Sequence, residues 1–99
     1  MKDKRRYIDD LRALIRERYK CEAIHRRTAA VEEKFSDQPT WKGEVEVFFL
    51  PDHPTAKRCY VWELEIPGEF QIVFETPPTV IGPATAVRAA MEKQVKSLD

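Results

Sequence analysis

Apolar and polar residues alternate along three runs in the middle of the chain. Val45, Val47 and Phe49 share one parity in the first run, Tyr60, Trp62, Leu64 and Ile66 in the second, and Phe70, Ile72 and Phe74 in the third. Successive side chains of an extended chain point to opposite faces, so each run reads as a strand with one face to bury. β-Branched and aromatic residues dominate all three, as strands favour. The other parity carries Glu44, Glu46 and Phe48, then Cys59, Val61, Glu63 and Glu65, then Gln71, Val73 and Glu75. The pattern predicts a three-stranded antiparallel sheet with one aromatic face to be covered and one acidic face, apolar at its middle, open to water. Pro67-Gly68 marks the turn between the second and third strands. Parity predicts an irregular turn there, a loop of three or five residues or a bulge, so that Leu64 faces Phe70 or Ile72 rather than Gln71.

Helical spacing frames this sheet. Tyr7, Ile8, Leu11, Leu14 and Ile15 recur every three or four residues among charges, which predicts an amphipathic helix from Lys4 to about Lys20. Residues 21–35 read as a second helical stretch, because Ala29-Ala30 and Glu32-Glu33-Lys34 favour helix, while His25, Thr28 and Val31 also suit an extended piece. Residues 36–40 and 51–57 are polar and proline-bearing, and read as loops. Gly82-Pro83 opens a last helix on which Val87, Met91, Val95 and Leu98 form a stripe. The expected fold class is α+β, a single domain over 1–99: a two-layer α-β-β-β-α sandwich with both helices on one face of the sheet.

Charge narrows the function classes. The formal net charge is zero, which argues against a general polyanion binder. Residues 1–27 nevertheless hold ten Lys or Arg against five Asp or Glu. Arg5, Arg6, Arg12 and Arg16 of this stretch, with Arg88, are the residues a nucleic-acid-binding function would use. No apolar run approaches the ~20 residues that span a bilayer, and the start lacks a hydrophobic signal core, so a cytoplasmic protein without membrane contact is expected. Cys21 and Cys59 are then expected to stay reduced. Together with His25 and His53 they are the chain's Cys and His residues, but their spacing is not that of a zinc finger or ribbon. No metal and no cofactor is predicted.

The helix, three strands, helix order looks like the double-stranded RNA-binding domain. In that family the second helix begins with lysines that grip phosphates; here the matching stretch is Gly82-Pro83-Ala84-Thr85-Ala86-Val87-Arg88, with Arg88 its one basic residue. The resemblance therefore implies a layout rather than an activity. The residues Trp41, Gly43, Val45, Val47-Phe48, Leu50, His53-Pro54, Ala56 and Tyr60-Val61-Trp62, then Pro83 and Ala86-Val87-Arg88-Ala89-Ala90, resemble a text carried by small uncharacterised bacterial proteins. This similarity covers about the C-terminal two thirds and implies no particular activity.

Three functions are consistent with these patterns. The first is a protein-interaction or regulatory module whose partner docks on the acidic face, at Phe48, Val61, Glu63, Glu65 and Val73, or at the loop of Asp52 and His53. The second is nucleic-acid binding through the basic first helix. The third is an enzyme or ligand-binding protein centred on His53, with Asp52 orienting the imidazole and Thr55 as a hydroxyl partner.

Overall fold

A computed structural model of the chain describes residues 4–35, 38–64, 66 and 68–98. Its elements are α1 (Lys4–Tyr19), β1 (Ile24–Phe35), β2 (Gln38–Phe49), β3 (Arg58–Glu63), β4 (Phe70–Phe74) and α2 (Pro83–Leu98). The strands form one antiparallel sheet in the order β1-β2-β3-β4.

The helix α1 forms where its periodicity puts it, with Leu11 and Ile15 one turn apart and fully buried. It stops at Lys20, whose φ of 58° is left-handed and whose N–H donates to the Arg16 carbonyl at 2.9 Å. That single backward bond closes the last turn. At the other end of the chain α2 begins at Pro83, as the Gly82-Pro83 signal predicts.

Several expectations are corrected. Residues 24–35 are a strand rather than a helix, so the sheet has four strands and not three. Local propensity favoured helix at Ala29-Ala30 and Glu32-Glu33-Lys34, but pairing with β2 from Ile24↔Phe49 to Phe35↔Gln38 overrides it. The charged, exposed residues of that stretch suit an edge strand, where they discourage pairing with another chain.

The second correction concerns the layers: the helices lie on opposite faces of the sheet, not on one. Leu11 and Ile15 of α1 pack with Phe48, Leu50, Cys59 and Val61. Ala86, Val87 and Ala90 of α2 pack with Val45, Val47, Tyr60 and Trp62 on the other parity. Phe48, Cys59 and Val61 bring enough apolar area to their face to need a cover of their own, and Cys59 to Trp62 is buried without a break. The face expected to meet water is therefore a second core.

The turn between β3 and β4 follows from the same fact. Glu63 pairs with Phe70, Val61 with Ile72 and Cys59 with Phe74. Beyond them the Leu64 N–H donates to the Glu69 carbonyl at 2.8 Å, and Gly68 takes the left-handed φ of 86°. This register puts Phe70, Ile72 and Phe74 under α1 and Val73 opposite Tyr60, on the α2 side. The expected pairing of Leu64 with Phe70 or Ile72 does not occur. Parity penalises mixed faces only where one of them is wet, and here both are covered. The loop expected at residues 36–40 is also corrected: residues 38–40 belong to β2, whose Gln38 pairs with Phe35 of β1, and residues 36 and 37 lie outside the described residues.

Candidate binding cleft

The expected sites separate once the faces are known. Phe48 and Val61 are wholly buried beneath α1, and Val73 is half-buried on the α2 side. Neither Phe48 nor Val61 is available to a partner. Glu63 stands at the end of β3, half-exposed, and accepts a hydrogen bond from the Gly68 N–H at 3.2 Å. Glu65 lies outside the described residues.

In the loop after β2, Asp52 and His53 do not form a pair. Asp52 Oδ1 accepts the Glu22 N–H at 3.1 Å, which ties the loop to the chain entering β1. His53 Nδ1 accepts the N–H groups of Thr55, at 3.1 Å, and Ala56, at 2.8 Å. Its ring packs on Phe74 with centroids 5.0 Å apart. An imidazole nitrogen that accepts two backbone donors is engaged in shaping the loop, and Thr55 meets it through its backbone rather than its hydroxyl.

The basic residues of α1 are partly engaged as well. Arg12 Nε donates to the Ala23 carbonyl at 2.9 Å, and Arg12 and Arg16 both reach Glu22, at 3.2 and 3.3 Å. Arg88 binds Glu33 at 2.7 Å across to β1. Arg5 and Arg6 are exposed on the first turn.

The structure brings together a group that the sequence did not single out. Glu46, at the centre of β2 and 1 % exposed, accepts from Lys4 Nζ at 2.5 Å, Thr28 Oγ1 at 2.5 Å and His25 Nε2 at 2.9 Å. Burial pushes its carboxyl up, but the hydrogen bonds from Lys4, Thr28 and His25 and the Lys4 charge outweigh this and hold it below the ordinary carboxylate range. Thr28 sits opposite Glu46 in the β1–β2 register, and His25 comes next to it because the ladder slips between His25 and Arg27. The signal was out of reach while residues 21–35 read as helix, which separates His25 and Thr28 from β2.

Beside this group the sheet opens. The β2–β3 ladder ends at Glu46↔Val61, yet β2 runs back to Gln38, so among the described residues β1 is the one strand that pairs with residues 38–45. A cleft of about 990 Å³ occupies the gap, lined among others by Trp41, Glu44, Trp62, Glu63, Leu64 and Met91. Its two walls differ in chemistry. Trp41 and Trp62, edge to face at 5.9 Å, and Leu64 and Met91 pack against the α2-side core. Glu44, Glu46 and Glu63 fall on the α1 side, around Tyr7. The Tyr7 hydroxyl is pushed up to about 12 by burial and then by Glu46, Glu63 and Glu44 in turn, so the α1 wall carries a negative field. Lys4, held by Glu46, and Lys42 also line the cleft.

Among the described residues no group of His, Cys, Asp and Glu is arranged to hold a metal ion. Cys21 and Cys59 are free thiols buried in the α1-side core, and burial lifts the Cys59 thiol to about 12. No helix among the described residues is long and apolar enough to cross a membrane. Comparison with protein-family models, with curated proteins and with solved structures returns no match to the chain.

Proposed function

We propose that the chain is a protein-interaction module that takes an extended, lysine- or arginine-bearing segment of a partner protein into the cleft between β2 and β3. The observation that carries this reading is the early end of the β2–β3 ladder at Glu46↔Val61, beyond which residues 38–45 have no strand partner on that edge among the described residues. A strand edge with open backbone donors and acceptors is the usual seat for an added peptide strand.

The walls say what such a segment carries. Side chains of an added strand alternate between the two faces of the sheet. Those on one face would meet Trp41, Trp62 and Met91; those on the other would meet Glu44 and Glu63. A segment alternating apolar and basic residues fits both walls, and its cations relieve the carboxylates gathered around Tyr7.

Selection of binders from a displayed random-peptide library tests the reading. Enriched peptides are expected to alternate basic and apolar residues and to perturb tryptophan fluorescence. Glu44→Lys and Trp41→Ala, checked for folding by circular dichroism, are each expected to weaken them about tenfold or more, the worth of one good contact. A library that yields no binder, or binders indifferent to both substitutions, sinks it.

A further inference from the structure

At the opposite end of the strands, on the α2 side, four cations crowd one depression of about 520 Å³: Arg26, Arg27, Lys57 and Arg58. From this arrangement we infer that the depression is a binding site for a compact ligand carrying two or more adjacent phosphate groups.

The arrangement depends on an irregularity in the sheet. Strict alternation sends consecutive residues to opposite faces, so one of Arg26 and Arg27 would point under α1. The register, however, passes from His25↔Phe48 to Arg27↔Val47, which leaves Arg26 as an extra residue in a bulge. Arg26 accordingly lies with its guanidinium 5.0 Å from the Phe49 ring, and both arginines line the same depression. Arg58 is the partner of Phe49 on β3, and Lys57 precedes it. A bulge at an edge strand re-aims side chains, and here it gathers a pair of guanidinium groups on one face.

Charge is unbalanced at this place in a chain with no net charge. Among the described residues, the one carboxylate lining the depression is Glu75, 3.6 Å from Arg58 and hydrogen-bonded by the Tyr60 hydroxyl at 3.5 Å. Arg26, Arg27 and Lys57 meet no carboxylate among the described residues. Three cations without a carboxylate, beside the Arg58–Glu75 pair, repel one another around one hollow, and an anion of high charge density relieves them. Guanidinium forks match phosphate oxygens two at a time, which favours phosphate over a singly charged carboxylate. The start of α2 at Gly82-Pro83 also borders the depression. The N–H groups of Ile81 and Gly82 are already taken by the Thr85 hydroxyl, so this helix end adds its field rather than those donors.

A compact ligand fits better than a nucleic-acid strand. A strand needs a basic track along its backbone. The exposed Ile81 lines the depression beside the cations, and Arg26 already covers Phe49, so that ring is not open to a stacking base.

Calorimetric titration of the full chain with pyrophosphate tests this, with inorganic phosphate and a single-stranded oligonucleotide as comparison ligands. Pyrophosphate is expected to bind and to weaken with added salt, and inorganic phosphate to bind about tenfold more weakly or less. Arg26→Gln and Arg27→Gln, both exposed and checked by circular dichroism, are each expected to lose about tenfold in pyrophosphate affinity, while Arg16→Gln on α1 leaves it unchanged. Absence of pyrophosphate binding, or binding insensitive to both substitutions, overturns the site. An oligonucleotide that binds more tightly than pyrophosphate, competes with it and loses affinity in Arg26→Gln and Arg27→Gln overturns the compact ligand and assigns the depression to nucleic acid.

Discussion

Lys4 Nζ and Glu46 Oε2 stand 2.5 Å apart across the gap between the first turn of α1 and the centre of β2. The carboxylate is buried and the ammonium half-exposed, so the pair anchors the start of a helix to the sheet. With Thr28 and His25 on the other oxygen, Glu46 has a full set of donors, and this is the condition under which a charge can be kept in a core.

Replacing Glu46 by Ala strands three donors at once and is expected to cost about 2–4 kcal/mol in urea denaturation at neutral pH. The pH dependence has a definite sign. The folded carboxyl titrates below its ordinary value of 4.5, so the unfolded chain binds more protons there; the contribution is present above that value and is lost as pH falls through the folded one. Glu46→Gln is expected to flatten the acid limb of the stability profile; an unchanged limb would show that Glu46 is not what holds it.

Phe48 distinguishes a covered face from an open one. Truncation to Ala beneath α1 leaves a cavity and is expected to cost about 3–5 kcal/mol. On a solvated sheet face the same change would stay near 0.5 kcal/mol, so the denaturation midpoint of Phe48→Ala tests the placement of α1 directly.

His53→Ala is expected to cost about 1–2 kcal/mol, from two orphaned N–H groups and a lost ring contact with Phe74. Peptide binding at the cleft should survive the change, because the loop lies at the other end of β2. Loss of binding with stability intact would return His53 to the list of functional residues.

The left-handed backbone at Lys20 strains any residue with a Cβ by about 1–2 kcal/mol, against about 0.5–1 kcal/mol of chain entropy that a glycine loses on folding. Lys20→Gly is therefore expected to stabilise the protein by about 0.5–1 kcal/mol, read as a higher denaturation midpoint at unchanged slope.

Tyr7 reports on the cleft. Its hydroxyl ionises at about 12 in the folded chain against an ordinary 10, so its contribution to stability is complete below pH 10 and lost between 10 and 12. A basic peptide seated beside Glu44 and Glu63 should lower that value, measured as the phenolate absorbance that Tyr7→Phe removes. A value unmoved by bound peptide would place the peptide elsewhere.

Much of the fold is legible residue by residue. Leu11 and Ile15 announce α1, Gly82-Pro83 announces the start of α2, and the alternation through Val45, Tyr60 and Phe70 announces strands β2 to β4. Two inferences account for the errors. The first, that the sheet has a wet face, misplaced Phe48 and Val61 and made the β3–β4 register look improbable; the second, helix propensity at Ala29-Ala30 and Glu32-Glu33-Lys34, hid the strand at residues 24–35. The candidate sites suffered more. His53 and Asp52 were conspicuous as neighbours in sequence and turn out to serve the backbone of their own loop.

Periodicity and turn chemistry by themselves determined the two helices, three of the strands and the α+β class, because those depend on side chains a few residues apart. Only the tertiary structure decided which face each helix covers, that residues 24–35 extend, that the β2–β3 ladder stops short, and that a bulge gathers Arg26 with Arg27. Each of these is a choice between pairings distant in the chain, made by the burial and charge balance of the whole sheet, and no local pattern carries it.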